Sequence, residues 1–297
     1  MQAILQRGLT NGGLMMKVFI TGISGFLGRH LARRLVLEGH YVSGVDINPL
    51  TLQHLGQTTP SIHLIEGSIC DVEVLQEIRH HLVEQEITHV VHLAANKYIE
   101  KNQESPYEAI KVNVMGSADI GQICLELDIP LVAISTDKAV EPSCLYGYAK
   151  LMMEETLLSM GFSIYQGVNF FGSDGSVIPI WYGQYLSQQP LTVRNLDCVR
   201  YFTPVAQVVD ELVDLLVRDI PSGMHLPRTA TSVTLAQILE GFIDCFNWHS
   251  VLAQENLPYE KLVEDIDSSI VVTQGDSTTV RDWIAGLSEF DLLQDKR

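Results

Sequence analysis

The sequence predicts an α/β fold: a doubly wound parallel sheet with a smaller C-terminal lobe. Three observations carry this. Short apolar runs alternate with helix-like runs from residue 17 to about residue 170. The first apolar run opens into a glycine-rich turn followed by a helical pattern. The apolar runs stay apolar throughout, as strands buried on both faces should.

Taken in order, strands are predicted at 17–21, 41–46, 62–66, 89–94, 130–135 and 163–169. Helices are predicted at 26–38, 72–84, 106–127 and 146–160, with Asp71 placed to cap the second. Beyond residue 169 the rhythm loosens. Helices are expected at 177–187, 204–217 and 235–246, the last capped by Thr234. The expected division is a sheet domain at 17–170 and a substrate lobe at 171–297, with no Pro- or Gly-rich linker between them. Residues 1–16 precede any pattern. They read as a leader that need not be native, because Met15 and Met16 stand directly before the first strand. Its lack of a charged region and long apolar stretch argues against a signal peptide.

Composition narrows the class. The 297 residues suffice for one large α/β unit. Lys plus Arg is 19 and Asp plus Glu 36, a net charge of −17, which makes nucleic acid and anionic membrane poor partners. Hydrophobic residues at 46% and charged residues at 19% describe a globular chain. No apolar run is long enough to span a bilayer. The five cysteines are scattered without a CxxC pair, so no metal site or disulfide framework is expected and a cytoplasmic setting fits.

The first turn reads Thr21-Gly22-Ile23-Ser24-Gly25-Phe26-Leu27-Gly28. Between strand and helix, an early glycine permits a tight turn and a middle one lets backbone approach a pyrophosphate. A last one lets helix and strand pack closely. In this strand–turn–helix setting the triplet reads as the cradle of a Rossmann-type dinucleotide site; the other reading is an ordinary tight βα turn. Asp46 ends the second strand, where a carboxylate accepts ribose hydroxyls and repels a 2′-phosphate. No Arg follows closely, so NAD is favoured over NADP. Asp71 is placed to bond an adenine amine, to cap the next helix, or to do both.

Two YxxxK pairs occur, Tyr107–Lys111 and Tyr146–Lys150. At i,i+4 on a helix both side chains share a face, and the ammonium lowers the tyrosine pKa toward a usable base. Position chooses between them. Tyr107–Lys111 lies away from any strand terminus and reads as structural. Tyr146–Lys150 follows the strand that ends in Ser135-Thr136-Asp137-Lys138, at the sheet edge where ligands bind. Asp137 and Lys138 can serve as proton donor and acceptor on one substrate, or pair as a surface salt bridge.

These residues resemble the extended short-chain dehydrogenase/reductases acting on nucleotide sugars. A closer resemblance is to the UDP-N-acetylglucosamine 4,6-dehydratases of bacterial surface-glycan pathways. It rests on His92-Leu93-Ala94-Ala95-Asn96-Lys97-Tyr98, on 106–114, and on Ser135-Thr136-Asp137-Lys138-Ala139-Val140-Glu141-Pro142 with Tyr146 and Lys150. Asn169, the 172–179 loop, Arg200-Tyr201-Phe202 and Glu260-Lys261-Leu262 with Glu264 extend it more loosely. Asp174 stands where the family commonly has Arg, the C-terminal motif lacks its usual Arg-Pro-Gly lead, and the chain is short at its C-terminus.

The resemblance implies NAD contacts from Gly22, Ser24, Gly25, Phe26, Leu27, Gly28, Asp46, Ile69, Asp71, Ala94, Ala95, Tyr146 and Lys150. It implies nucleotide-sugar contacts from Lys97, Asn169, Ser176, Val177, Arg200, Glu260 and Lys261. It further implies that Tyr146 takes the C4 hydroxyl proton and that Lys150 tunes it. Lys138 removes the C5 proton, for which its pKa must be depressed, Asp137 protonates the leaving C6 hydroxyl, and Thr136 bonds near O4. Within the resembled group, large membrane-linked members carry Met at the Tyr146 position and retain C5 configuration. Smaller soluble ones keep Tyr and invert it, so inversion is implied here. A homo-oligomer built on the 106–127 and 146–160 helices is also implied. The alternatives are a UDP-sugar 4-epimerase, which has no need of an acid–base pair at 137–138, and a non-catalytic dinucleotide-binding regulator.

Overall fold

The computed structural model describes residues 15–256 and 261–293. The predicted leader therefore lies almost wholly outside the described residues. The first half alternates β1 (Lys17–Thr21), α1 (Phe26–Leu37), β2 (Tyr41–Asp46), α2 (Pro49–Thr58), β3 (His63–Glu66), α3 (Val72–Glu84) and β4 (His89–His92). Then follow α4 (Ile99–Glu104), α5 (Pro106–Ile110), a π-helical turn (Lys111–Gly116), α6 (Ser117–Leu127), β5 (Leu131–Thr136), a 3₁₀ turn (Asp137–Ala139), α7 (Leu145–Ser159) and β6 (Ser163–Gly167). The lobe region contributes β7 (Asn169–Phe170), α8 (Val177–Leu186), β8 (Leu191–Val193), β9 (Val199–Thr203), α9 (Val205–Val217), β10 (Gly223–His225) and β11 (Thr229–Thr234). The described chain ends with α10 (Leu235–Phe246), β12 (Val251–Ala253), β13 (Val271–Gln274), α11 (Ser277–Ala285) and α12 (Glu289–Leu293).

The main sheet has seven strands in the order β10-β6-β5-β4-β1-β2-β3, every pair parallel. This is the Rossmann-type doubly wound sheet that the sequence predicts. Strand periodicity divides its core in two. Val18 and Ile20 of β1 pack with α1, α2 and α9 on one face, while Phe19 packs with α3, α6 and α7 on the other.

Two expectations are corrected. The helix predicted at 106–127 is broken by the π-helical turn at Lys111–Gly116. The boundary at residue 170 also fails as a single cut. After β9 the chain returns to the sheet, where α9 buries Val208, Val209, Leu212 and Leu216 against α1 and β10 pairs with β6. The apolar face of α9 covers a sheet face that α1 and α2 leave open, so the lobe is assembled from stretches on either side of it. Its own core gathers Trp181, Phe202, Phe242, Val280 and Ile284, with a four-stranded sheet β13-β11-β9-β7. The Thr234 cap is present as a full capping box with Gln237.

Candidate active site

A cavity of about 990 Å³ runs along the carboxyl ends of β1, β2, β4 and β5 and under the lobe. That is where a switch-point crevice belongs in such a sheet.

At one end lies the glycine turn. Gly22 adopts φ +70°, and a Cβ there would sit 2.8 Å from the Ala94 nitrogen. A Cβ on Gly28 would strike the carbonyl oxygens of Gly22 and Ile23, so only glycine lets α1 approach β1 this closely. Gly25, Phe26, Leu27 and Gly28 line the cavity at the N-terminus of α1. Asp46 also lines it, its carboxylate held by the Ser24 N–H at 3.0 Å and the Asn48 N–H at 3.2 Å. A Cβ-free cradle at a helix N-terminus followed by a strand-end carboxylate fits the phosphates and ribose of a dinucleotide.

The Ala94–Tyr98 wall is fixed from behind. Thr21 Oγ1 accepts from the Leu93 and Ala94 N–H groups and bonds His92 Nδ1 at 2.7 Å. His92 Nε2 meets Ser117 Oγ at 2.9 Å, and burial pulls the imidazole pKa down to about 3, so the ring is neutral. Asn113, inside the π-helical turn, exchanges hydrogen bonds with the Asn96 backbone at 2.8 and 2.9 Å. The turn thus aims a buried amide at the wall of the site, as π-bulges often do.

The chemistry-bearing groups gather at the end of β5. Asp137 is 4% exposed, and Lys138 Nζ and Thr136 Oγ1 both donate to its Oδ1, at 3.1 and 2.8 Å. Asp137 Oδ2 is buried with no hydrogen-bond partner among the described residues. Burial, opposed in part by Lys138, pushes the Asp137 carboxyl up to about 6. Lys138 Nζ also reaches Asn169 Oδ1 at 3.0 Å and Glu264 Oε1 at 2.9 Å. Burial opposes the ammonium, but Asp137 and Glu264 outweigh it and hold its pKa above the usual lysine value. This corrects the expectation of a depressed Lys138, because two carboxylates face it rather than one.

Tyr146 and Lys150 line the same cavity. Burial raises the Tyr146 phenol to about 12 and lowers Lys150 to about 8. The Lys150 ammonium donates to the Ile134 carbonyl at 2.6 Å and to Met153 Sδ at 3.0 Å. The expected lowering of Tyr146 by Lys150 is therefore absent: burial dominates and the ammonium is directed at the backbone.

Most of the remaining expectations meet in this cavity: Ile69, Ala94, Ala95, Lys97, Asn169, Ser176, Arg200 and Lys261 all line it. Three do not. Ser24 lies behind the turn, its hydroxyl on Thr51 at 2.6 Å. Asp71 is exposed, off the cavity, and makes no side-chain capping bond. Val177 packs into the lobe core. Glu260 falls outside the described residues. Sequence reasoning quoted Glu264 without giving it a role and passed over Arg194, which lines the cavity with Nη2 3.4 Å from Glu100 and its Nε buried without a hydrogen-bond partner among the described residues. The signal for Glu264 was the C-terminal motif itself; a lone Arg after a strand gave none.

Residues 18–260 match the family described as "Polysaccharide biosynthesis protein". The chain belongs to this family. It is 29% identical over 225 residues to the capsular polysaccharide biosynthesis protein CapD of Staphylococcus aureus, covering 69% of this chain but 36% of that protein. It is 31% identical over 181 residues to a UDP-N-acetylglucosamine 4,6-dehydratase (inverting) of Campylobacter jejuni, covering 55% of this chain and 52% of that one. A UDP-glucose 4-epimerase of Rickettsia rickettsii is 22% identical over 247 residues, 77% of this chain and 71% of that one. Among solved structures, the Bordetella bronchiseptica enzyme WbmG in complex with NAD superposes with a TM-score of 0.79 at 20% identity. That match covers 96% of this chain and 98% of that one. No helix among the described residues is long and apolar enough to cross a membrane.

Proposed function

We propose that the protein is an NAD-dependent nucleotide-sugar 4,6-dehydratase that converts UDP-N-acetylglucosamine to a 4-keto-6-deoxy sugar. The observation that carries this is Asp137: a buried carboxyl with an orphaned oxygen, pushed up to about 6 beside Lys138 and in one cavity with Tyr146. A group with that pKa is partly protonated near neutrality, as a donor to a leaving hydroxyl must be.

Gly22, Gly25, Gly28 and Asp46 would hold the NAD pyrophosphate and ribose, and Lys150 the nicotinamide ribose. When bound, NAD supplies the hydride acceptor and returns the hydride. Tyr146, once it is a phenolate, accepts the proton of the C4 hydroxyl. The C4 ketone acidifies the C5 proton, which Lys138 accepts once it is an amine. Asp137 donates its proton to the C6 hydroxyl, which leaves as water. Arg200, Lys261 and Arg194 line the same cavity and would pair with the substrate's diphosphate.

A second reading is a UDP-sugar 4-epimerase. What favours it is the Lys138 ammonium, held charged between two carboxylates, since C4 oxidation and return need only Tyr146 and Lys150. Incubation with UDP-N-acetylglucosamine and mass spectrometry separates the two. A product lighter by one water supports the dehydratase, and an isomer of unchanged mass refutes it.

A further inference from the structure

The C-terminal lobe reaches the catalytic end of the cleft through Glu264, beside Asn169 and Arg200. Residues 261–264 run beside β9: the Val199 N–H donates to the Leu262 carbonyl at 2.8 Å, Val199 bridges Val263, and Arg200 Nη1 donates to the Lys261 carbonyl at 3.0 Å. That pins Glu264 over the end of β5. Its Oε1 faces Lys138 Nζ at 2.9 Å and Arg200 Nε at 3.5 Å, while its Oε2 takes Asn169 Nδ2 at 2.6 Å. Asn169 closes the ring by presenting Oδ1 to Lys138 at 3.0 Å.

We propose that Glu264 is a positioning residue for Lys138: its carboxylate holds the ammonium at the end of β5 and must release it before the amine can take a proton. The charged and titratable groups facing Lys138 are Asp137, Tyr146 and Glu264, with Arg200 behind Glu264. Asp137 and Glu264 both hold the ammonium against burial; burial pushes the Asp137 carboxyl up to about 6, while Lys138 and Arg200 outweigh burial at Glu264 and hold its carboxyl below the usual value. Without the Glu264 charge, Asp137 alone opposes the burial that favours the amine. The reactivity of a lysine on the sheet domain is thus set by where a lobe segment sits. The functional consequence rests on Lys138 being the C5 base of the proposed dehydration; the contact does not.

The test is pH-dependent acetylation of Lys138 by acetic anhydride in the full chain, read by peptide mass spectrometry. In the wild type the Lys138 midpoint should lie above that of the exposed Lys101. In Glu264→Gln it should fall by at least about one pH unit, a tenfold gain of amine at a given pH. Glu264→Asp should stay near the wild type. A wild-type midpoint at or below that of Lys101 would overturn the proposal without any variant, as would superimposable wild-type and Glu264→Gln profiles. No substrate is used, so the proposal and the dehydratase reading, scored by water loss, fail separately.

Discussion

The guanidinium of Arg29 on α1 meets the carboxylate of Asp291 on α12 at 2.5 Å, with both side chains almost completely buried. Arg29 follows the last glycine of the cofactor cradle, so the end of the described chain is locked onto the first helix. Ser288 donates to Asp291 Oδ2 at 2.6 Å, His30 lies 3.3 Å from Oδ1, and Phe290 stacks on His54. Asp291→Ala would remove the nearest carboxylate from a buried cation, a change that costs on the order of 3–5 kcal/mol, here reduced by the Phe26 and Phe290 rings 5.0 and 5.2 Å from the guanidinium. Asp174, 3.7 Å from Arg29, limits it toward the lower figure. A urea titration within about 1 kcal/mol of the wild type would contradict this account.

The same site gives a pH dependence. Burial works against the Asp291 charge, but His30, Ser288 and Arg29 outweigh it and hold the carboxyl far below its usual range. A depressed folded-state pKa stabilises fully above the unfolded value, near 3.9, and the gain is lost as pH falls through the folded one. The stability gap between wild type and Asp291→Ala should therefore be constant from neutral pH down to about 5 and shrink below about 4. A gap that stays constant down to about pH 2 would contradict this.

Cofactor choice is expected to rest on Asp46. Its carboxylate both fixes the glycine turn through Ser24 and faces the cavity, where it would repel a 2′-phosphate. Asp46→Ala should narrow the preference for NAD over NADP tenfold or more, as a charged hydrogen bond of about 1.5–3 kcal/mol implies. Titrations showing wild-type NADP binding equal to NAD would reject the assignment.

Asp137 and Tyr146 should fail at different steps. Tyr146→Phe removes the C4 base, so no NADH should form with substrate. Asp137→Asn leaves C4 oxidation intact but removes the C6 donor, so enzyme-bound NADH should accumulate. Each loss should cost about 10²–10⁴-fold in turnover. Because Asp137 donates only when protonated, water loss in the wild type should decline as pH rises through about 6. Identical NADH absorbance in the two variants would refute the division of roles.

How far the sequence foretold this site depended on how local each signal was. The cradle, Asp46 and the Asp137–Lys138 and Tyr146–Lys150 pairs are short-range patterns tied to strand ends, and they converge in one cavity. The helix α2 was missed although Asn48 caps it and Pro49 opens it, because only Leu52 and Leu55 are buried. The break in 106–127 was invisible because the π-helical turn at Lys111–Gly116 carries no proline and continues the helix on both sides. The return of α9 and β10 to the sheet and the grip of Glu264 on Lys138 are long-range pairings that no spacing records. The pKa directions of Lys138 and Tyr146 were misjudged because spacing does not record burial, which raises Tyr146, nor the Glu264 carboxylate that joins the neighbouring Asp137 in raising Lys138.

The helices α5 and α7 leave Tyr107, Ile110, Tyr148 and Met152 exposed, together with Met115 of the intervening π-helical turn. Tyr148 and Met152 stand one turn apart on one face of α7. A surface of this kind is expected to pair with a second copy of the chain. Light scattering should give a dimer or larger species, and Tyr148→Glu with Met152→Glu should shift it to monomer. A monomeric wild type at micromolar concentration would exclude the interface.

The last expectation concerns C5. Inversion requires that C5 regain a proton on the face opposite to the one that lost it. Lys138 takes the proton from one side, so the donor must stand across the ring. Asp137 is on the Lys138 side, joined to it at 3.1 Å, and its proton goes to the leaving hydroxyl. Tyr146 is the candidate the cavity offers: it lines the same space, and burial holds its phenol up to about 12, so once it has taken the C4 proton it keeps it until a strong carbon base is presented. An enolate carbon is such a base. The product is therefore expected to be a 4-keto-6-deoxy-L-hexose. Reaction in D₂O followed by NMR decides it, because deuterium at C5 with the D-configuration retained would mean that one group on the Lys138 side both removes and returns the proton.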